Sequence, residues 1–275
     1  MFHFCYKFVT CHACLPAGRC HPLIFSYFCP MKPKITGSFF LFCLLMMAMT
    51  LTAQTGEEIK AIKDRFESGN TFMKRGDYPN AIKEYTTAIQ LHPRYADAFY
   101  NRAAAWDRLG NYAEAVSDYS VVLMINPKYA EAYNNRGIAY ANLKRYLDAV
   151  ADFSVAVSLN IRFAEAYNNR GYYNCMMGKF EKAIPDFDRA IRLNPSYGYA
   201  YNNRGFAWFS LKKFTQAMAD YNMAIEKNPK NGLAFLYRGN CHEVMGAHDK
   251  ACLDWMKSAA LGNKQAEELV KRNCR

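Results

Sequence analysis

Apolar and small residues recur along most of this chain at intervals of three and four positions, the period that gives an α-helix one buried face. The pattern itself is repeated, because AEAYNNRG begins at Ala130 and again at Ala164, and the variant GYAYNNRG begins at Gly198. Each copy starts 34 residues after the previous one. The same structural unit is therefore predicted in each copy.

The 34-residue frame extends in both directions and gives six windows, whose positions are called columns one to 34. Columns eight and twenty hold small residues, and column twenty-four is always aromatic. Columns four, eight and eleven share one side of a first helix, and columns twenty, twenty-four and twenty-seven share one side of a second helix. The windows are 62–95, 96–129, 130–163, 164–197, 198–231 and 232–265.

Each window is predicted to be a helical hairpin. A short turn such as KRGDY (74–78) or RLGNY (108–112) separates the two helices, and a proline at residue 93, 127, 195 or 229 marks the end of the second helix. Window three departs from this pattern with Ile161, and window six departs with Asn263. Pro185 falls inside a second helix, where a local kink is expected without loss of the repeat.

In its period, its small residues, its aromatic column and its proline, the chain closely resembles the tetratricopeptide repeat (TPR) family. The resemblance implies an all-α fold, an α-solenoid of six 34-residue helix-turn-helix repeats in a right-handed superhelix, with a concave groove lined by the first helices. Such an array needs a cover on its last hairpin. Residues 263–275 are predicted to supply it as a capping helix and tail, with Ala266, Leu269 and Val270 on the covered side.

Column seven carries an arginine in five windows, where the family usually has leucine on the core side of the first helix. The same five windows carry an aspartate at column twenty-three, whereas window one has Ser68 and Glu84 at these columns. In an antiparallel hairpin that packs column eight on column twenty, columns seven and twenty-three lie close together. Structural ion pairs are therefore predicted for Arg102 with Asp118, Arg136 with Asp152, Arg170 with Asp186, Arg204 with Asp220 and Arg238 with Asp254.

Two columns of asparagines precede the arginines, and neither column is expected to fit the core. Column six lines the groove in TPR proteins, and an asparagine column there is similar to the amide ladder with which O-linked N-acetylglucosamine transferases hold peptide backbone. The open alternative is that these amides tie adjacent first helices together or stay hydrated. The candidate peptide-binding residues are Asn101, Asn135, Asn169 and Asn203 in column six and Asn134, Asn168 and Asn202 in column five.

The resemblance implies a protein or peptide partner, and two other partner classes are disfavoured by the residues. The formal net charge of +11 comes from bases interleaved with acids rather than from a basic block, so nucleic acid is not expected. The carboxylate clamp of chaperone-binding TPR domains needs Lys or Arg at columns two and six of one repeat, whereas column two of this chain reads Lys63, Asp97, Glu131, Glu165, Tyr199 and Leu233. Cytosolic chaperone tails are therefore not the expected partners.

The first 53 residues differ from the rest because they contain no Asp or Glu. A basic start (Met31–Lys34), an apolar run of 13 residues (39–51) and the small residue Ala53 are typical of a secretory signal peptide. Residues 31–53 are thus predicted to be a signal, 54–61 a lead-in, and 1–30 an upstream extension from a misplaced start. An exported protein, periplasmic or secreted, with no lasting membrane span after cleavage is expected.

An alternative reading gives the chain a metal-binding or enzymatic role through residues 1–30, where Cys11, His12, Cys14, Cys20 and His21 lie close in sequence. Elsewhere His92, His242 and His248 have no recurring nucleophile beside them, so no enzymatic activity and no cofactor are expected. Most of Cys175, Cys241, Cys252 and Cys274 are interpreted as small buried residues, and their disulfide state is left open.

Overall fold

In a computed structural model, the backbone is described from residue 37 to residue 274 and the side chains from residue 56 to residue 274. Helices form nearly all of this part, and no strand occurs among residues 37–274. The first helices are α1 (Gly37–Lys74), α3 (Ala96–Leu109), α5 (Ala130–Asn142), α7 (Ala164–Met176), α9 (Gly198–Ser210) and α11 (Gly232–Val244). The second helices are α2 (Tyr78–Leu91), α4 (Tyr112–Ile125), α6 (Tyr146–Leu159), α8 (Phe180–Leu193), α10 (Phe214–Lys227) and α12 (His248–Ala260), followed by α13 (Lys264–Asn273).

Each first helix packs against the second helix of its own window, and each second helix packs against the next first helix. Within a hairpin, a small residue of column eight lies under the aromatic ring of column twenty-four. A Cβ atom added to Gly171 would lie 2.8 Å from the Phe187 ring, so a larger side chain would push the two helices apart. The all-α solenoid that the sequence predicts is confirmed.

The turn inside every hairpin requires a left-handed backbone at column fifteen. Glycine supplies it in four windows, with φ of 75° at Gly76 and 73° at Gly178. In windows three and five the same conformation is held by Lys144 (φ 63°) and Lys212 (φ 58°). The turn geometry is therefore set by the packing of the two helices and persists without glycine.

Five of the second helices, α2, α4, α6, α8 and α10, end at column thirty, and α12 ends one residue earlier. Helix α6 ends at Leu159, although Ile161 replaces the proline there. Asn160 caps this end, since its side-chain oxygen accepts the Arg162 backbone N–H at 3.0 Å. Asn126 makes the same bond with Lys128 at 3.2 Å, so an asparagine turn ends these helices independently of proline. Pro185 lies inside α8, which nevertheless has the same length as α6.

The C-terminal helix α13 covers the last hairpin. Asn263 caps its start by accepting the Ala266 N–H at 3.1 Å, and Ala266 is fully buried against α12. A disulfide joins Cys252 of α12 to Cys274 at the end of α13. Cys175 and Cys241 are free and buried, so the interpretation of the cysteines as small core residues holds for these two alone.

Part of the predicted N-terminal extension and signal peptide lies outside the described residues. Residues 1–36 are not described, and residues 37–53 are described only as backbone of α1, so the predicted extension and signal stay predictions. Across the described part of the chain, no helix combines the length and the apolarity of a bilayer span.

Candidate peptide-binding groove

The arginines of column seven pair with the aspartates of column twenty-three in the same geometry in five hairpins. Nε and Nη2 of Arg136 donate to the two carboxylate oxygens of Asp152 at 2.7 and 2.8 Å. Arg102 with Asp118, Arg170 with Asp186, Arg204 with Asp220 and Arg238 with Asp254 repeat this two-bond contact at 2.6 to 2.9 Å. All five aspartates are buried. The planar fork of the guanidinium thus neutralises a carboxylate inside each hairpin.

An aromatic ring of column four stacks beside each guanidinium. The central carbon of Arg136 lies 5.5 Å from the centre of the Tyr133 ring, and that of Arg170 lies 5.6 Å from the Tyr167 ring. Hydrogen bonding to Asp152 raises the pKa of Arg136 above its ordinary value, and Asp186 does the same for Arg170. These arginines are occupied by the fold and are not free to meet a ligand.

Four of these arginines also bond to the preceding repeat. Nη1 of Arg102 donates to Thr86 at 3.0 Å, and Nη1 of Arg204 donates to Asp188 at 2.6 Å. The partners all come from column twenty-five, which reads Thr86, Ser120, Ser154, Asp188, Asn222 and Met256. Column twenty-five is polar in every window that another window follows and apolar in the last one. The sequence analysis did not predict this inter-repeat bond, although the polar residues of column twenty-five indicate it.

Window one lacks the column-seven arginine, and a different base pairs with its column-twenty-three acid, Glu84. Arg65, at column four of α1, donates to Glu84 at 3.1 Å. The longer glutamate reaches across to this arginine, so the hairpin keeps one ion pair at a shifted position. The half-exposed arginine makes this pair the weaker one.

The asparagines form a chain of hydrogen bonds from one repeat to the next. The Asn169 side-chain amide donates to the Asn134 side-chain oxygen at 3.0 Å, and Asn203 donates to Asn168 at 3.0 Å. Toward the N-terminus the acceptors change, because Asn135 donates to the Tyr100 hydroxyl at 2.8 Å and Asn101 donates to Asn70 at 2.9 Å. Column six of repeats three to five thereby binds column five of the repeat before, and Asn101 of repeat two binds column nine of repeat one.

The expectation that neither asparagine column fits the core is wrong for column five. Asn134 and Asn168 are each 6% exposed, and Asn202 is 4% exposed. These amides lie between consecutive first helices, where an apolar side chain would leave the column-six N–H groups unpaired. Column six is only half-buried, and no protein group donates to the side-chain oxygens of Asn169 and Asn203 among the described residues.

A cavity of about 380 Å³ lies over this row between repeats three and six. Its floor contains Asn168, Asn169, Asn202 and Asn203, and its walls carry Tyr172, Tyr173, Tyr197, Tyr199 and Leu233. A second cavity, of about 130 Å³, is lined by Phe206, Met176 and Tyr237. Amides flanked by aromatic and apolar side chains can bind both the backbone and the side chains of an extended peptide.

The family models match this repeat structure directly. Models described as TPR repeat or tetratricopeptide repeat match residues 69–106, 108–144, 130–160, 164–197 and 198–231, which together make up more than half of the chain. The chain is a tetratricopeptide-repeat protein. Its sixth window, 232–265, lies beyond these matches and is recognised by its helices α11 and α12.

Solved structures share the fold of this TPR protein at low sequence identity. Pseudomonas aeruginosa PilF is 20% identical, with a TM-score of 0.67 over 78% of this chain and 99% of that one. YrrB, a TPR protein with an unusual peptide-binding site, is also 20% identical, with a TM-score of 0.55 over 68% of this chain and 97% of that one.

Curated relatives match this TPR protein over a short segment. Hsp70-Hsp90 organizing protein 1 of Arabidopsis thaliana is 49% identical over 43 residues, which are 16% of this chain and 8% of that protein. The chain therefore spans less than a tenth of the curated relatives that it matches, and the similarity is one of repeats.

No cluster of three or more His, Cys, Asp or Glu side chains that could hold a metal ion occurs in the described part of this TPR protein. Cys11, His12, Cys14, Cys20 and His21 lie outside that part. His248 approaches the Cys252 sulfur at 3.7 Å, but this sulfur is bonded to Cys274. The pair therefore lacks the free thiolate that a cysteine nucleophile requires.

Proposed function

We propose that this protein is an exported, non-catalytic scaffold that binds an extended segment of a partner protein in the groove formed by its first helices. The observation that carries the proposal is the asparagine row across repeats three to five. Each column-six amide there donates one of its two N–H groups within the protein, and at Asn169 and Asn203 the side-chain oxygen has no donor among the described residues.

Such oxygens match the backbone of an extended peptide. Peptide N–H groups are present in every sequence, so a row of fixed acceptors binds a segment largely irrespective of its side chains. The N–H bonds along the row hold the amides in place before binding, which lowers the ordering cost that a ligand must overcome. The cavity above the row supplies the apolar surface that these weak neutral bonds need for affinity.

The groove chemistry favours partners other than chaperone tails. Hsp70-Hsp90 organizing proteins are similar over 43 residues, but column two of repeats two to four presents Asp97, Glu131 and Glu165, which are all exposed. These carboxylates would repel the C-terminal carboxylate of a bound tail. An internal segment of a partner fits better than a free acidic end.

The proposed export rests on the Met31–Ala53 pattern and gains support from the Cys252–Cys274 disulfide. Structural disulfides persist in oxidising compartments and are rare in the cytosol. This bond ties the capping helix to α12, so an oxidising environment would secure the end of the solenoid.

Photocrosslinking tests the groove. A photoreactive amino acid at Tyr199, which is 59% exposed beside the amides, should crosslink to one partner segment in cells. The same group at Lys182, on the exposed surface of α8, is the matched control and should not capture that segment. Equal capture at both positions would contradict groove binding.

The N-terminus and the thiols of protein isolated from cells test export. We expect a chain that begins near Gln54 and has Cys252 and Cys274 protected from alkylation, with Cys175 and Cys241 reacting only after unfolding. A full-length cytosolic chain in which Cys252 and Cys274 are free thiols would contradict export and revive residues 1–30 as a metal or enzymatic region.

A further inference from the structure

The two ends of the groove differ in chemistry along column two of the first helices. Asp97, Glu131 and Glu165 occupy this column in repeats two to four, whereas Tyr199 and Leu233 occupy it in repeats five and six. All five side chains are exposed. One edge of the groove is thus acidic in repeats two to four and apolar in repeats five and six, and repeat one has Lys63 in this column.

The acids of this edge have no internal counter-charge. Among residues 56–274, none of the three forms an ion pair. Two of these acids act on the same neighbouring group. Burial raises the pKa of Tyr129, and the charges of Asp97 and Glu131 raise it further. Arg94, Lys128 and Arg162 stand three residues before these acids without pairing with them, so this edge carries three exposed, unpaired carboxylates in repeats two to four.

The apolar half contains a buried polar atom with no partner. The Asn202 side-chain oxygen is the next acceptor of the amide row, but column six of the following repeat is Tyr237 instead of asparagine. No group among residues 56–274 donates to this oxygen, although Asn202 is only 4% exposed. Asn202 lines both cavities, between Tyr172, Phe206 and Leu233. The row therefore ends, inside an aromatic pocket, on an acceptor that a ligand can complete.

We infer that the groove selects an extended polypeptide segment with a bulky apolar side chain at one end and basic side chains along the other. The apolar side chain lies between Tyr172, Tyr199 and Leu233, and a backbone N–H beside it donates to Asn202. The basic side chains lie along Asp97, Glu131 and Glu165. This inference rests on the proposed function and names its ligand.

Charge and shape favour this occupant over others. An acidic or C-terminal segment would meet the unpaired carboxylates, and a wholly apolar segment would leave them without partners. The smaller cavity, of about 130 Å³, adds Met176, Phe206 and Tyr237 to the lining of the apolar end, which suits a single large side chain.

Binding of a probe peptide to the full chain tests the inference. The probe is a fluorescent extended peptide with one phenylalanine near one end and three lysines toward the other, made in both sequence orders because the chain direction is open. Replacing phenylalanine by alanine should weaken binding by about thirty-fold or more, as for an anchor residue. Replacing the lysines by glutamines should weaken it several-fold at low salt, and less at high salt.

Groove variants assign each end of the probe. In the combined variant Asp97→Asn, Glu131→Gln and Glu165→Gln, the lysine and glutamine probes should bind equally. In Tyr199→Ala combined with Leu233→Ala, the phenylalanine and alanine probes should differ by a much smaller factor. If either variant leaves its pair of probes as different as the parent protein does, the assignment of that end is overturned.

Asn202→Leu separates binding from folding. This change removes a buried oxygen that has no partner, so the melting temperature should stay or rise while probe affinity falls by about five- to ten-fold. Asn168→Leu is the matched control, and it should lower the melting temperature because Asn203 loses its acceptor. Unchanged probe affinity in Asn202→Leu overturns the role of Asn202.

The proposed function and this inference can fail separately. If the segment crosslinked at Tyr199 is acidic or lacks a bulky apolar side chain, the ligand class is overturned while groove binding stands. If Tyr199 captures no segment that Lys182 does not also capture, groove binding itself fails, and the ligand class fails with it.

Discussion

Two polar rows run along the same first helices, one of arginines and one of asparagines, and they differ in how completely the protein satisfies them. Arg136 has both its carboxylate bonds and a third bond, from Nη1 to Ser120 at 3.0 Å, within the protein. Asn169, one column nearer the groove, has a single side-chain bond within the described part of the chain, and its oxygen accepts none there. We call the arginine row the closed row, because its groups are bonded within the protein, and the asparagine row the open row, because it has free side-chain oxygens.

This difference separates two uses of repeated polar residues. A charge on the core side must be paired within its own hairpin, because an unpaired buried carboxylate is costly. A neutral amide at the groove can leave one hydrogen-bonding atom without a protein partner, because water or a ligand can bond to that atom. Repetition alone does not indicate a ligand site, whereas the same open acceptor at Asn169 and Asn203 supports the proposed one.

Breaking the closed row should give the largest loss of stability. Arg170→Leu leaves Asp186 buried without its partner, and we expect the free energy of unfolding to fall by about 3 kcal/mol. Arg170→Leu combined with Asp186→Leu should recover much of this loss. Urea unfolding of the two single variants and the double variant measures the coupling, and strictly additive losses would show that the pair is not a unit.

A carboxylate without an arginine sharpens the comparison through pH. Burial raises the pKa of Asp107 to about 6, although the Tyr119 hydroxyl donates to it at 3.1 Å. The folded state then favours the protonated form, so this group contributes stability at low pH that is lost as the pH rises through about 6. Asp107→Asn should therefore be more stable than the parent by about 1 to 2 kcal/mol above pH 7, after allowance for partial exposure.

Thermal melts from pH 4 to pH 8 measure this effect. The advantage of Asp107→Asn should grow between pH 4 and pH 6 and then level off. Asp152→Asn is the contrasting variant, since loss of the paired charge should destabilise at neutral pH. An advantage of Asp107→Asn that does not change with pH would contradict the titration of Asp107.

The inter-repeat bond of the arginine row should have a smaller effect. Thr86→Val removes the acceptor of Arg102 Nη1 with little change in shape, and we expect a loss of about 1 kcal/mol. Ser154 occupies the same column in repeat three, but its hydroxyl bonds only to the Val150 carbonyl of its own helix. Ser154→Ala is therefore the control and should be nearly neutral, and equal losses at both sites would argue against the bond.

The period of the sequence was sufficient to predict the fold and the in-hairpin ion pairs in outline. Both follow from contacts within one hairpin, where helix geometry fixes which columns meet. Column seven and column twenty-three change together in window one, so the sequence itself carries the relation that the structure shows as Arg136 with Asp152.

Contacts between repeats could not be predicted from the same reasoning. The burial of Asn134 and Asn168 depends on the distance between consecutive first helices, which no single window specifies. The free oxygen of Asn202 depends on Tyr237 of the next window, and the left-handed Lys144 depends on the packing of its hairpin. The disulfide between Cys252 and Cys274 depends on where the capping helix returns.

The most direct test of the open row compares probe peptides with and without backbone N-methylation, which removes the peptide N–H donors. The measurement is the affinity of each probe for the parent protein and for the combined variant Asn135→Ala, Asn169→Ala and Asn203→Ala. We expect N-methylation to weaken binding to the parent by about ten-fold or more and to have little effect in the variant, whose melting temperature falls modestly because its inter-repeat bonds are lost. Equal sensitivity of both proteins to N-methylation, together with the loss of melting temperature, would show that the asparagines only tie the helices together.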